Sequence, residues 1–132
     1  MFSTSTINKF IDAMHGKATY TAPANTYMWL STTAPTAAGT NITEPSGNGY
    51  ARVAVPASAW NSASGGSGSN NATIQFPTPT GSWGTILWSG FSDSATTGAG
   101  NMIDAAALPA PQAVTTGTVL QFTAGQASDS IA

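Results

Sequence analysis

Thr85–Phe91 reads TILWSGF, the most hydrophobic segment of the chain, and its mix of β-branched, aliphatic and aromatic residues predicts a central strand. Moving outward, the same pattern recurs in shorter pieces. Thr26–Ser31 (TYMWLS), Ala51–Val55 (ARVAV), Thr73–Phe76 (TIQF), Asn101–Ala107 and Val119–Thr123 each read as a strand. In ARVAV the alternation puts Val53 and Val55 on one face and Arg52 and Ala54 on the other. Between these runs stand TTAPTAAGT, EPSGNG, SASGGSGSN, PTPTGS and SATTGAG, clusters of the residues that make turns. Short strands with regular turn signals and no strand–helix alternation predict a mainly β protein. The expected architecture is a single-domain β-sandwich, jelly-roll-like or a partly closed barrel, spanning residues 1–132.

One segment breaks the pattern. Within the first 16 residues, positions 4–16 predict a short N-terminal helix: Ile7, Phe10, Ile11 and Met14 recur at helical spacing and make one apolar stripe. Thr6 is the expected N-cap and Gly16 the expected stop. The stripe has to lie on this domain's sheet or on a neighbouring subunit. Residues 62–71 (SASGGSGSNN) have the composition of a flexible linker, but neither half of so short a chain could fold alone. They are expected as a long flexible surface loop between two strands.

Charge limits function more than any motif does. Charged residues are 6% of the chain, against roughly 25% in typical soluble proteins. They are Lys9, Lys17, Arg52, Asp12, Glu44, Asp93, Asp104 and Asp129, with His15 the single histidine. Three scattered cations cannot neutralise a phosphate backbone, so no nucleic-acid partner is expected. The same count removes a polybasic membrane patch, and no apolar run approaches the roughly 20 residues of a spanning helix. Residues 1–15 lack the basic start and apolar stretch of a secretory signal, which leads to the expectation of a protein kept inside a cell or inside something assembled there. Cysteine is absent, so packing, backbone pairing or subunit association must hold the fold. The low charge has two readings: the composition bias of a host, or a surface covered by neighbouring subunits.

Motifs for chemistry are missing. His15 sits near a helix end, where a lone histidine usually caps, and no second group shares a recognisable role with it. The five acids are dispersed; nothing pairs two of them across a cleft, and neither a calcium loop nor a transition-metal cluster is present. Gly65-Gly66-Ser67-Gly68 lacks the Lys-Ser/Thr ending and following helix of a phosphate loop. No catalytic residue, metal ligand or cofactor is therefore expected. Glu44 and Arg52 flank the turn Pro45-Ser46-Gly47-Asn48-Gly49 and are placed to meet across it. That pair is expected to be an exposed local ion pair worth under about 1 kcal/mol, with a charged anchor for a neighbour as the sharper reading. Of four tryptophans, Trp29 and Trp88 lie in apolar strands and should be core. Trp60 and Trp83 lie in loops among small residues; with Tyr50, Arg52 and Glu44 they are the candidate partner contacts.

The order of three segments resembles a known family. Tyr27–Thr40 (YMWLSTTAPTAAGT), Ile42–Val55 (ITEPSGNGYARVAV) and Phe76–Thr85 (FPTPTGSWGT) are similar to small bacteriophage and prophage virion proteins, labelled tail-fibre-like, with capsid cement proteins among their relatives. The resemblance runs from residue 7 to about 123. Trp88–Leu108 matches the family pattern loosely, and Ala124–Ala132 is more polar than the family's last strand, which is expected to be short or completed by a neighbour. The resemblance implies a β-sandwich and a virion structural role, with no catalytic residues. The expected function is a capsid cement or decoration protein, assembled in the bacterial cytoplasm, whose partners are the major capsid protein and copies of itself as a dimer or trimer. The alternative is a tail fibre or baseplate component, with carbohydrate contact through Trp60 or Trp83.

Overall fold

The apolar segment around Trp88 forms the middle of an antiparallel sheet in the computed structural model, which describes residues 1–130. In chain order the elements are helix α1 (Thr4–Met14) and strands β1 (Asn25–Ser31), β2 (Val53–Pro56), β3 (Ser67–Ser69), β4 (Ile74–Gln75), β5 (Gly84–Ser92), β6 (Met102–Val114), β7 (Gln121–Phe122) and β8 (Ser128–Ser130). A four-stranded antiparallel sheet runs in the order β2-β1-β5-β6. Two ribbons, β3-β8 and β4-β7, supply the second layer, giving the mainly β, sandwich-like architecture that the turn-punctuated sequence predicts.

β1 explains why the centre of the sheet is apolar on both sides. Met28 and Leu30 point into the main core, where they meet Val55, Ile74, Phe76, Trp83, Ile86, Phe91, Val114 and Ala127. Trp29, between them, points the other way and packs with Met102 and Ala105 beside Ile42 and Trp88. Trp29 is fully buried and Trp88 half-buried, as core strands require. The Trp29 indole needs its opposite number to be small. Its ladder partner is Gly90, where a Cβ would overlap both the Trp29 ring and the Asp104 carbonyl.

Three local features differ from expectation. Ser3, not Thr6, caps α1: its hydroxyl accepts the Thr6 N–H at 3.1 Å, while Thr6 is itself buried in the helix. Gly16 ends the helix as expected, with φ of 70°. The stripe of α1 is only partly covered. Phe10 sits edge-on between Phe2 and Tyr20, at 5.8 and 5.3 Å, but Ile7, Ile11 and Met14 remain 44, 47 and 73% exposed. The helix rests on the start of β6 through the side bearing Thr6, which turns the other apolar residues outward. Finally, the surface loop expected at 62–71 contains β3, which pairs with the polar β8. At its end Asn70 is fully buried. Its amide donates to the carbonyls of Ala72, Phe122 and Thr123, and its Oδ1 accepts the N–H groups of Gly125 and Ala127. That clamp ties the loop to the C-terminal segment.

Candidate functional site

The turn after Pro45 is built from three successive residues in left-handed conformation: Gly47, Asn48 and Gly49, with φ of 68, 52 and 80°. Glycine and asparagine adopt this region at low cost, which is why this run of types stands here. The turn docks on the segment before β5. The Asn48 amide donates to the Ser82 carbonyl at 3.0 Å, and the Asn48 carbonyl accepts the Thr80 N–H and the Trp83 Nε1–H. Trp83 is therefore drawn inward: only 4% exposed, it lies edge-on to Tyr50 at 5.3 Å. The expectation of a loop tryptophan facing outward fails here, because its N–H finds a carbonyl inside the fold.

Tyr50 links this turn to the charged pair. Its hydroxyl donates to Glu44 Oε1 at 2.7 Å and accepts the Leu30 N–H at 3.1 Å. Glu44 meets Arg52 side-on: Nε donates to Oε1 at 2.9 Å and Nη2 to Oε2 at 2.8 Å. Both side chains are 4% exposed, so the exposed ion pair expected from the turn is instead a buried one. The cover comes from the loop between β5 and β6. Arg52 Nη1 donates to the Ser92 hydroxyl and to the carbonyls of Ser94 and Ala99, and the Gly98 N–H donates to Glu44 Oε2 at 2.8 Å. Asp93 closes the same loop by accepting the backbone and side-chain N–H groups of Asn101.

The electrostatics follow. Burial opposes ionisation of Glu44, but the bonds from Arg52, Tyr50 and Gly98 outweigh it and hold its carboxyl below the usual value. Burial and the Glu44 bond push the Tyr50 phenol up, so it stays a neutral donor. Each Glu44 oxygen accepts two bonds, which fills its acceptor capacity. The arrangement braces two loops. Beside it lies a cleft of about 260 Å³ lined by Asn41, Ile42, Glu44, Arg52, Ser92 and Gly98 among others.

Trp60 lies apart from this group. It is half-buried, edge-on to Phe91 at 5.2 Å. His15 caps the C-terminus of α1 through its backbone N–H. Reading by spacing missed Asp104, a carboxyl on β6 that is 5% exposed and accepts the Phe91 N–H at 3.1 Å. Burial first, and Asp129 facing it second, push its pKa up. Nothing in its spacing marks it; only the pairing of β6 with β5 places it. Among the described residues no group of three or more His, Cys, Asp or Glu is placed to hold a metal ion, and no helix is long and apolar enough to cross a membrane.

A family model described as podophage GP4 fiber I protein gp80 matches residues 1–129 of the 132. The chain belongs to that family, a family of phage virion structural proteins, and its place is the virion. No curated protein matches it.

Proposed function

We propose that the chain is a structural subunit of the phage tail fibre, with no catalytic role. The observation that carries this reading is the match to a fibre-protein family over nearly the whole chain. It favours the tail over the capsid shell, the place expected for a cement protein from the chain's small size, single domain and weak charge. The chemistry of the fold supports a structural role. Glu44, Arg52, Asp93 and Asp104 are spent on internal bonds that fix loops and strands; Glu44 and Arg52 line the cleft, but their donors and acceptors are taken up by each other and by the loop that covers them. Contact with the rest of the fibre then falls to apolar and hydrogen-bonding surface, consistent with a chain that is 6% charged.

Imaging of intact particles tests the location. With antibody label or averaged density, the subunit is expected on the tail, in copy number matching the fibres. A shell lattice decorated in hundreds of copies would instead place it on the capsid, with the major capsid protein as its partner.

A further inference from the structure

The docked turn after Pro45 holds a reactive pair of groups in check. Of the chain's asparagines only Asn48 is followed by glycine. In that order the backbone nitrogen after the asparagine lies next to its side-chain amide carbon, and glycine has no Cβ to shield it. Both residues are exposed, and the Gly49 N–H donates to no group among the described residues. The nucleophile is therefore free, but the electrophile is not. Asn48 Nδ2 is tied to the Ser82 carbonyl at 3.0 Å, and the side chain packs so closely on Gly81 that a Cβ there would lie 2.6 Å from Asn48 Cγ. The Asn48 carbonyl is pinned as well, by the Thr80 N–H at 3.0 Å and the Trp83 Nε1–H at 2.9 Å. Bringing nitrogen and carbon together into a five-membered ring requires the side chain to swing and the peptide plane between Asn48 and Gly49 to rotate. These bonds oppose both movements.

We propose that Asn48 is a self-modification site gated by the docking of its turn. When the turn lifts off the segment before β5, the Gly49 nitrogen loses its proton to solvent hydroxide and attacks Asn48 Cγ. The N–Cγ bond forms, the Cγ–Nδ2 bond breaks, and Nδ2 leaves as ammonia, taking a proton from water. Water then opens the imide. Breaking the new N–Cγ bond leaves aspartate at position 48. Breaking the original peptide bond instead leaves isoaspartate, with the main chain rerouted through the side chain. Nothing is oxidised or reduced, and water and hydroxide are the only co-reactants. Neither product docks as the asparagine does. In the first, a carboxylate faces the Ser82 carbonyl in place of the amide donor. In the second, the main chain is one carbon longer, and the carbonyl that held Thr80 and Trp83 has become a free carboxylate. Each undocking that leads to reaction is therefore recorded irreversibly, beside the residue, Tyr50, that links the turn to Glu44. The proposal does not depend on whether the subunit sits on the tail or the shell.

The test uses the full chain, held at mildly alkaline pH in buffer and, in parallel, unfolded in guanidinium chloride. Conversion is read as the mass gained when an amide becomes an acid, and peptide mapping locates it. It is expected first at Asn48, and faster as pH is raised, because attack needs the deprotonated nitrogen. A turn undocked for less than about a tenth of the time converts at least about tenfold more slowly in buffer than in guanidinium chloride, and that ratio is the expected result. Gly81→Ala evicts the Asn48 side chain and is expected to bring the two rates close together. Trp83→Phe keeps a ring but removes the Nε1–H donor; it is expected to close part of the gap, and it serves should Gly81→Ala fail to fold. The converted protein, like Asn48→Asp, is expected to melt several degrees below the parent. Equal rates for the parent in buffer and in guanidinium chloride, or no conversion in either, would overturn the proposal. So would a folded-state rate that neither variant raises, conversion of another asparagine ahead of Asn48, or a converted protein that melts with the parent.

Discussion

Arg52 spends every nitrogen of its guanidinium inside the chain. Two face Glu44, and the third reaches Ser92, Ser94 and Ala99 some 40 residues away. The sequence made the Glu44–Arg52 meeting legible, because a Gly-Asn-Gly turn brings the two positions together. It did not make their burial legible, since the lid is a loop at residues 93–101 whose arrival depends on β5 pairing with β1. Trp83 escaped for a similar reason: in the sequence it is surrounded by small polar residues, and only the docking of Asn48 carries it inside. Burial of the pair changes its energetics. Removing one partner strands a charge under the loop, which costs about 3–5 kcal/mol, far above the exposed-pair value. Glu44→Ala and Arg52→Ala are each expected to lose about that much in urea unfolding, and Glu44→Leu/Arg52→Met much less than the sum of the two. A loss under 1 kcal/mol for either alanine variant would mean that the pair is solvated after all.

The strands were legible wherever hydrophobic alternation marks them: β4 and β7 fall within the segments read from it, and β1, β2 and β5 match theirs to within two residues at either end. β3 and β8 were not, because Ser67-Gly68-Ser69 and Ser128-Asp129-Ser130 carry no apolar residue; their pairing is backbone to backbone and leaves no period in the sequence. β6 was legible only in its first half. It continues to Val114 through Leu108-Pro109-Ala110-Pro111, where extra residues bulge opposite Leu87 between the pairs Trp88–Ala107 and Ile86–Gln112. β6 is also the edge of the main sheet, and the two halves of that edge are protected differently. The first half is covered by the N-terminal residues, through the Phe2–Asp104 bridge and the Ser3 bond to the Ile103 carbonyl. Among the described residues the second half has no such cover, and there the two prolines withhold N–H groups and the bulge bends the strand away from any extended neighbour. Replacing Pro109 and Pro111 together by Thr is expected to leave the melting temperature nearly unchanged and to speed aggregation on warming, followed by light scattering. Unchanged aggregation would show that the bulge alone protects this edge.

For the whole molecule, so few charges mean that its response to pH rests on a handful of internal carboxyls with opposite tendencies. Asp104 is pushed upward by burial and by Asp129, so in the folded chain it keeps its proton over a range where the unfolded chain has lost it. Over that range the folded state binds more protons, and stability falls as pH rises from about 4 toward the raised value. Glu44 and Asp93 act in the other sense. Both are held below their usual values, Glu44 chiefly by Arg52 against the cost of burial and Asp93 by Asn101 against a smaller one. Their contribution is present above about 4 and disappears as pH falls through their lowered values. The two tendencies meet in the mildly acidic range. The melting temperature is expected to rise as pH is lowered from 8 to 5 and to drop below about pH 4. Asp104→Asn separates them. Its carbonyl oxygen can still accept the Phe91 N–H, and its amide presents a donor to the facing Asp129 without a charge of its own. The variant is expected to match the parent near pH 5, to exceed it at pH 8, and to keep the fall below pH 4. A parent that is most stable at pH 8, or an Asp104→Asn variant that is weaker than the parent at every pH, would show that Asp104 is ionised in the fold and that its charge is used.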